Sequence, residues 1–183
     1  MKDVKNTLKN GQILSIREAT PKDAENILAY LAVIGSQSDN LDFGAEGLGY
    51  TVEEEAGFIE SLQTSDNGKI LMGFIGKDLV SVAHLAGKSK RPRTKHVATL
   101  AISVVKAQWN RGIGDAMLKA LIDWALSNPV LRVVELEVRA DNTAAIALYT
   151  KYGFVERGRF PQRFRIEGQS VDTLIMIKEL THD

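Results

Sequence analysis

A mixed α/β domain, one sheet covered by helices, is the fold class this sequence predicts. Three observations carry the prediction. Apolar runs of strand length alternate with stretches whose apolar residues recur every three or four positions. Near the middle, an apolar run from Val97 to Val105 leads through a polar turn, Lys106 to Arg111, into Gly112-Ile113-Gly114 and a helical pattern. Finally, 183 residues with 44% apolar and 25% charged content suit one soluble domain with a single substantial core.

In chain order, residues 1–12 are expected as a polar, mobile tail and residues 13–183 as a single domain. Ile13 to Glu18 alternates apolar and polar, as a half-buried strand does. Thr20-Pro21-Lys22-Asp23 starts a helix, with Thr20 as N-cap, proline at the first helical position and an acid two further on. Ile27, Leu28 and Leu31 are its expected buried stripe. Gly35 to Tyr50 is rich in Gly, Ser, Asp and Asn and reads as loop. A second helix begins at Thr51, where Glu54 completes a capping box, and runs to about Gln63.

After the turn Asp66-Asn67-Gly68, strands Lys69–Ile75 and Leu79–Gly87 are joined through Gly76-Lys77-Asp78 as a hairpin. Lys88 to Lys95 is basic and holds a proline, hence an exposed connection. The helix after Gly112 buries Ile113, Met117, Leu118, Leu121, Ile122 and Ala125 and stops near Asn128-Pro129. Leu131 to Val138 is another strand. A short helix follows from Thr143 to Tyr152, with Asn142 as N-cap and Gly153 just past its end. Phe154–Arg159 and Val171–Leu180 are the last strands. The order is β-α-α-β-β-β-α-β-α-β-β.

Composition excludes several classes. The 23 acidic and 23 basic residues cancel, which argues against nucleic-acid binding by bulk charge. Without cysteine there is no disulfide, thiolate metal site or cysteine nucleophile, and three scattered histidines do not suggest a metal site. No apolar run has the length of a membrane span, and the charged N-terminus lacks a signal core. The expected location is the cytoplasm.

Two stretches carry chemistry. A strand, a glycine turn and a helix start aim several free backbone N–H groups at one point, and these with the helix dipole favour an anion such as a phosphate. Glycine that merely permits a tight turn is the plainer alternative. No Gly-Lys-Ser/Thr follows, so the turn is not a Walker loop, and Met117 stands where the dinucleotide fingerprint has its third glycine. Downstream, in DNTAAIALYTKYGF, Ala145, Ile146, Tyr149 and Tyr152 share one helix face. A core tyrosine with a partnered hydroxyl is the plainer reading of Tyr149.

Taken together, VVKAQWNRGIGDAML and DNTAAIALYTKYGF, about 30 residues apart, resemble the GCN5-related N-acetyltransferases, in an element order that fits from Ile13 to Leu180. The resemblance implies an α/β (α+β) fold with a splayed central sheet of about seven strands and helices on both faces. Acetyl-CoA, the co-substrate, would lie where the strands containing Ile102–Val104 and Val134–Val138 part, with no metal. Ile102 and Val104 would then bond the pantetheine arm through their backbones. The turn Trp109-Asn110-Arg111-Gly112-Ile113-Gly114, with Asp115, would hold the diphosphate. Asn142 corresponds to a frequent cofactor contact, and Tyr149 to the tyrosine that often protonates the departing thiolate. The implied activity is acetyl transfer to a primary amine, of a small molecule or a protein N-terminus, by direct attack in a ternary complex. No nucleic acid or membrane partner is implied, and a homodimer stays open.

The chain departs from the pattern twice. Trp109 replaces the usual Gln or Arg, with Gln108 displaced by one. The strand position where many similar enzymes carry a glutamate base is Thr99, and no acid lies between His96 and Val105. Deprotonating a lysine-like amine of pKa about 10.4 at pH 7 costs roughly 4.6 kcal/mol, whereas an α-amine of pKa about 7.8 costs only about 1 kcal/mol. Other proton acceptors have plainer readings. His84 and His96 suit a core histidine and a strand cap; Glu135 and Glu137 suit a solvated or salt-bridged face. Asp39, Asp42, Glu46 and Glu53–Glu55 could draw a cationic amine, though an acidic first helical turn explains the last three. Arg157, Arg159, Arg163 and Arg165 suit exposed hairpin charges. An acyl-CoA-binding or sensor module without catalysis is the alternative function, and an ATP site at the glycine turn a third.

Overall fold

The computed structural model describes residues 3–87 and 91–181. Its elements are strands β1 (Val4–Thr7) and β2 (Ile13–Glu18), helices α1 (Ala24–Gly35) and α2 (Val52–Gln63), and strands β3 (Lys69–Ile75), β4 (Asp78–Gly87) and β5 (Val97–Val104). Helix α3 (Ile113–Ser127), strand β6 (Val133–Arg139), helix α4 (Thr143–Lys151) and the hairpin β7 (Val155–Ile166) and β8 (Gln169–Glu179) complete the chain. Eight strands form one sheet in the order β1-β2-β3-β4-β5-β6-β8-β7. The expected Lys88–Lys95 connection lies partly outside the described residues.

One pair in this sheet is parallel. β5 and β6 run side by side only from Val97, Ala98 and Thr99 against Val133, Val134 and Glu135. β5 stays paired with β4 as far as Val104, while β6 stays paired with β8 as far as Arg139. The two strands therefore separate with their flanking partners, and the sheet is splayed between them.

The helices cover both faces, as the sequence reading expected. α1 and α2 pack Ile27, Tyr30, Ile34, Ile59 and Leu62 on Ile70, Met72 and Val82. On the other face α3 buries Ile113, Met117, Leu118, Leu121, Ile122 and Ala125 against Leu71, Leu85, Leu100 and Val134. All six of these α3 positions match the stripe read from spacing. The stripe of α1 differs: Leu28 and Leu31 are half-buried, and Tyr30 and Ile34 take the inward positions. Counting i, i+3, i+7 from Ile27 instead of i, i+1, i+4 describes that face.

The tail expectation is corrected at residues 4–7, which form an edge strand antiparallel to β2. Backbone hydrogen bonds hold such a strand while its polar side chains face water, so no apolar alternation marks it in the sequence. Leu8, just beyond, is buried in the core, and the strand count rises from seven to eight. β7 also runs past the expected Arg159 to Ile166, through an irregular stretch between Phe160 and Phe164.

Candidate active site

The gap between β5 and β6 is lined by main chain. Val105 donates to the Val80 carbonyl on the β4 side, and the His96 carbonyl accepts from Arg132 and Val133 on the β6 side. Strand alternation then turns the peptide groups of Leu100, Ile102 and Val104 toward β6. Beyond Thr99 no β6 residue pairs with them. Ile102 and Val104 thus present an open strand edge inside the fold, as the resemblance implied.

This edge runs directly into the glycine turn. Asn110 (φ 62°) and Gly112 (φ 88°) are left-handed, which asparagine tolerates and glycine adopts freely. Gly112 occupies the N-cap of α3 and brings no capping side chain. The first intrahelical bond joins Ala116 N–H to the Gly112 carbonyl. The amides of Ile113, Gly114 and Asp115 precede it and are the donors a helix start leaves unmatched, at the positive end of the helix dipole. A Cβ on Gly112 would meet open space, whereas one on Gly114 would touch Leu148 of α4 at 3.4 Å. One glycine is there for backbone conformation, the other for close helix approach. These amides and the open edge fit a pantetheine diphosphate by the donor set alone.

The flanking side chains are arranged as follows. Trp109 Nε1 donates to the Val104 carbonyl at 2.7 Å, so the indole clamps the turn onto the end of β5. Arg111 Nη1 donates to Gln12 Oε1 at 3.3 Å. The Asp115 carboxylate pairs with Lys151 of α4, and Tyr152 donates its hydroxyl to the Asp115 carbonyl at 3.1 Å. Asn142 caps α4, its Oδ1 accepting from Ala145 N at 3.1 Å. Gly153 (φ 81°) ends that helix as expected.

Tyr149 lies on the inner side of α4, 7% exposed, its ring edge-on to Phe154 with centroids 5.8 Å apart. Burial pushes the phenol up to about 12. No hydrogen bond among the described residues engages the hydroxyl. It is also absent from the sealed, unpaired polar atoms, of which Gln108 Oε1 is the single case among the described residues. The ring is therefore core, and the tip is an unspent donor.

A second layer closes the mouth of the gap. Gln37 Oε1 accepts from Lys106 N at 2.8 Å just past β5. Arg139, at the end of β6, grips Asp141 with two nitrogens and donates to the Asp39 carbonyl at 2.8 Å. The segment after α1 thus reaches across from one splayed strand to the other. Reading the sequence left this tie unseen, because Gln37 and Arg139 lie about 100 residues apart with no pattern linking them.

The weaker candidates resolve as structural groups. His84 sits edge-on to Phe58, and burial lowers its imidazole to about 4, leaving it neutral. Glu137 accepts from Arg163 and Thr173, and Glu135 accepts from Thr99 at 3.4 Å. Glu46 turns back to Gly44 N. Arg159 pairs with Asp172 and Arg157 with Glu179, as hairpin charges. Among the described residues no group of three or more His, Asp or Glu is placed to hold a metal ion, and no helix is long and apolar enough to cross a membrane.

The sheet thus opens between its two parallel strands, and the uncapped start of α3 lies beside that opening. Residues 38–154 match the acetyltransferase (GNAT) family model, and the chain belongs to that family. The L-amino acid N-acetyltransferase AaaT of Escherichia coli is 35% identical over 113 residues, 60% of this chain and 67% of that protein. A GNAT-family acetyltransferase from Streptococcus pneumoniae superposes with a TM-score of 0.88 at 33% identity, covering 92% of this chain and 99% of that one. The yncA protein of Salmonella typhimurium, solved with acetyl-CoA, has a TM-score of 0.80 at 18% identity, covering 93% and 95%, a likeness of fold. The chain is accordingly an acetyl-CoA-dependent N-acetyltransferase.

Proposed function

We propose that this enzyme transfers the acetyl group of acetyl-CoA to a primary amine by direct attack in a ternary complex, with an α-amino group as the favoured acceptor. The observation that carries the reading is the parting of β5 from β6 after Thr99 and Glu135, beside the uncapped start of α3. Ile102 and Val104 would bond the pantetheine arm. The amides of Ile113, Gly114 and Asp115 would hold the diphosphate, in a turn shaped by Trp109, Asn110, Arg111 and Gly112. The Asp115 carboxylate, neutralised by Lys151, stays outside that contact, since like charge would repel phosphate. Asn142 orients the start of α4 and keeps its side-chain amide hydrogens for the cofactor.

Tyr149 would protonate the departing thiolate. A phenol held near 12 stays protonated at neutral pH, so its proton is in place when negative charge develops on the departing sulfur. Holding both substrates in one gap supplies proximity, and no covalent enzyme intermediate is needed. The name of the Escherichia coli relative supports an amino-acid-like acceptor, and the low cost of deprotonating an α-amine points the same way. The cytoplasm is the compartment this reading expects.

The test is thiol release from acetyl-CoA across a panel of amino acids, amino-acid amides, peptides and diamines. Turnover that is fastest for α-amines supports the reading. Tight acetyl-CoA binding by calorimetry with no turnover on any amine would replace it with an acyl-CoA-binding module.

A further inference from the structure

Three consecutive acids open α2, and the fold treats each differently. Glu53 is exposed, and Glu54 closes the capping box, accepting from Thr51 N at 2.8 Å. Glu55 is 2% exposed, and no hydrogen bond or ion pair among the described residues engages its carboxyl. Because Gln108 Oε1 is the single sealed and unpaired polar side-chain atom among them, the little exposure Glu55 keeps includes its carboxyl oxygens. A buried carboxyl without a partner is costly, and structures that keep one have a use for it or an explanation.

Two contacts fix how α2 lies on the sheet. Gln63 Nε2 donates to the Ala19 carbonyl, just past β2, at 2.9 Å. Phe58 meets His84 of β4 with ring centroids 5.5 Å apart. Between Gln63 and Phe58 the helix has therefore moved from β2 to β4. Glu55 is three residues further on, about 4.5 Å of helix rise and close to one strand spacing of about 4.8 Å. That course heads from β4 toward β5, where Ala101 stands opposite His84 and is exposed. Ala101 is two residues beyond Thr99, where β6 leaves β5. The start of α2, which bears the unpartnered carboxyl, is thus directed toward the side of the gap, on the sheet face opposite α3.

We propose that Glu55 receives the acceptor's ammonium and takes up its first proton, supplying from α2 the base that β5 lacks. The proposal rests on the N-acetylation reading and assigns a group that reading left open. The acceptor enters as R–NH3+, and the Glu55 carboxylate takes one proton. The neutral nitrogen then attacks the thioester carbon and the carbon–sulfur bond breaks. Tyr149 gives its proton to the thiolate sulfur, and the phenolate recovers one from the acetylated nitrogen. The proton on Glu55 leaves to solvent, so the sum is R–NH3+ plus thioester giving amide, thiol and H+. Burial raises the Glu55 carboxyl above its ordinary value, which brings it nearer to the amine it serves.

The experiment measures kcat, KM and their pH dependence for wild type, Glu55→Gln and Glu55→Asp, using a free L-amino acid, its amide and an alkyl diamine. Acetyl-CoA affinity by calorimetry and thermal melting are followed alongside. Glu55→Gln is expected to lower kcat/KM for the amine about 100-fold at pH 7. The loss should shrink as pH rises and should be smaller for amines of lower pKa. Acetyl-CoA affinity should hold, the melting temperature should hold or rise, and Glu55→Asp should recover part of the rate. Wild-type turnover with an unchanged pH profile and rate in Glu55→Gln would overturn the role of Glu55 alone. A drop in melting temperature with rates intact would make Glu55 a packing residue. Absence of wild-type turnover on every amine would overturn the enzymatic reading and this role with it.

Discussion

The indole nitrogen of Trp109 donates to the carbonyl of Val104 at 2.7 Å, joining the glycine turn to the last residue of β5. Val104 offers the cleft its N–H, while its carbonyl is already used. Trp109 therefore braces the glycine turn, which we propose holds the diphosphate. Trp109→Phe keeps the ring and removes the donor. An ordinary hydrogen bond is worth about 1 kcal/mol, so acetyl-CoA should bind about fivefold more weakly. Calorimetry checks this, and an unchanged affinity would mean the turn holds itself.

Gly112→Ala separates backbone strain from ligand binding. The residue sits at φ 88° with open space where a Cβ would go. A left-handed alanine costs about 1–2 kcal/mol, a few degrees in melting temperature for a domain of this size. Acetyl-CoA affinity should fall more than about tenfold, because a turn that relaxes from this conformation no longer aims its amides together. Equal losses in stability and affinity would leave no special role for the turn.

Tyr149→Phe should leave stability within about 0.5 kcal/mol, since the hydroxyl has no partner to lose. Its kcat should fall about 100-fold with acetyl-CoA affinity retained. Tyr30, hydrogen-bonded to Ser103 at 3.0 Å, is also pushed up to about 12 by burial. For both phenols the folded pKa lies above the unfolded value near 10. The stability this contributes is fully present below pH 10 and is lost as pH rises through 12. Tyrosinate absorbance from these two should appear only as the protein unfolds, and folded-state tyrosinate at pH 10 that is lost in Tyr30→Phe or Tyr149→Phe would contradict their burial.

Arg139 holds Asp141 and the Asp39 carbonyl together at the mouth of the gap. Arg139→Ala should free the segment following α1, raising KM for the amine several-fold while KM for acetyl-CoA stays put. Limited proteolysis should cut between residues 36 and 50 faster than in wild type. Equal cleavage rates would show that Gln37 alone secures the segment.

Local patterns foretold the local elements. The capping box at Thr51 and Glu54, the six-residue stripe of α3 and the cap at Asn142 all depend on neighbours within a few positions, and all three stand as read. The short edge strand Val4–Thr7 escaped notice because pairing, not hydrophobicity, creates it. The capping box set Glu54 apart, but Glu55 could not be told from Glu53, since the two differ only in which way the finished helix turns them.

Spacing and side-chain chemistry thus settled the glycine turn, the helices and the presence of a phenol on α4. They could do so because caps, turns and amphipathic faces are short-range physics. Packing alone decided where β5 and β6 separate, that Trp109 bends back on Val104, and that one acid of α2 points inward. Each of those depends on contacts between residues far apart in the chain, whose geometry exists only once both faces of the sheet have been covered.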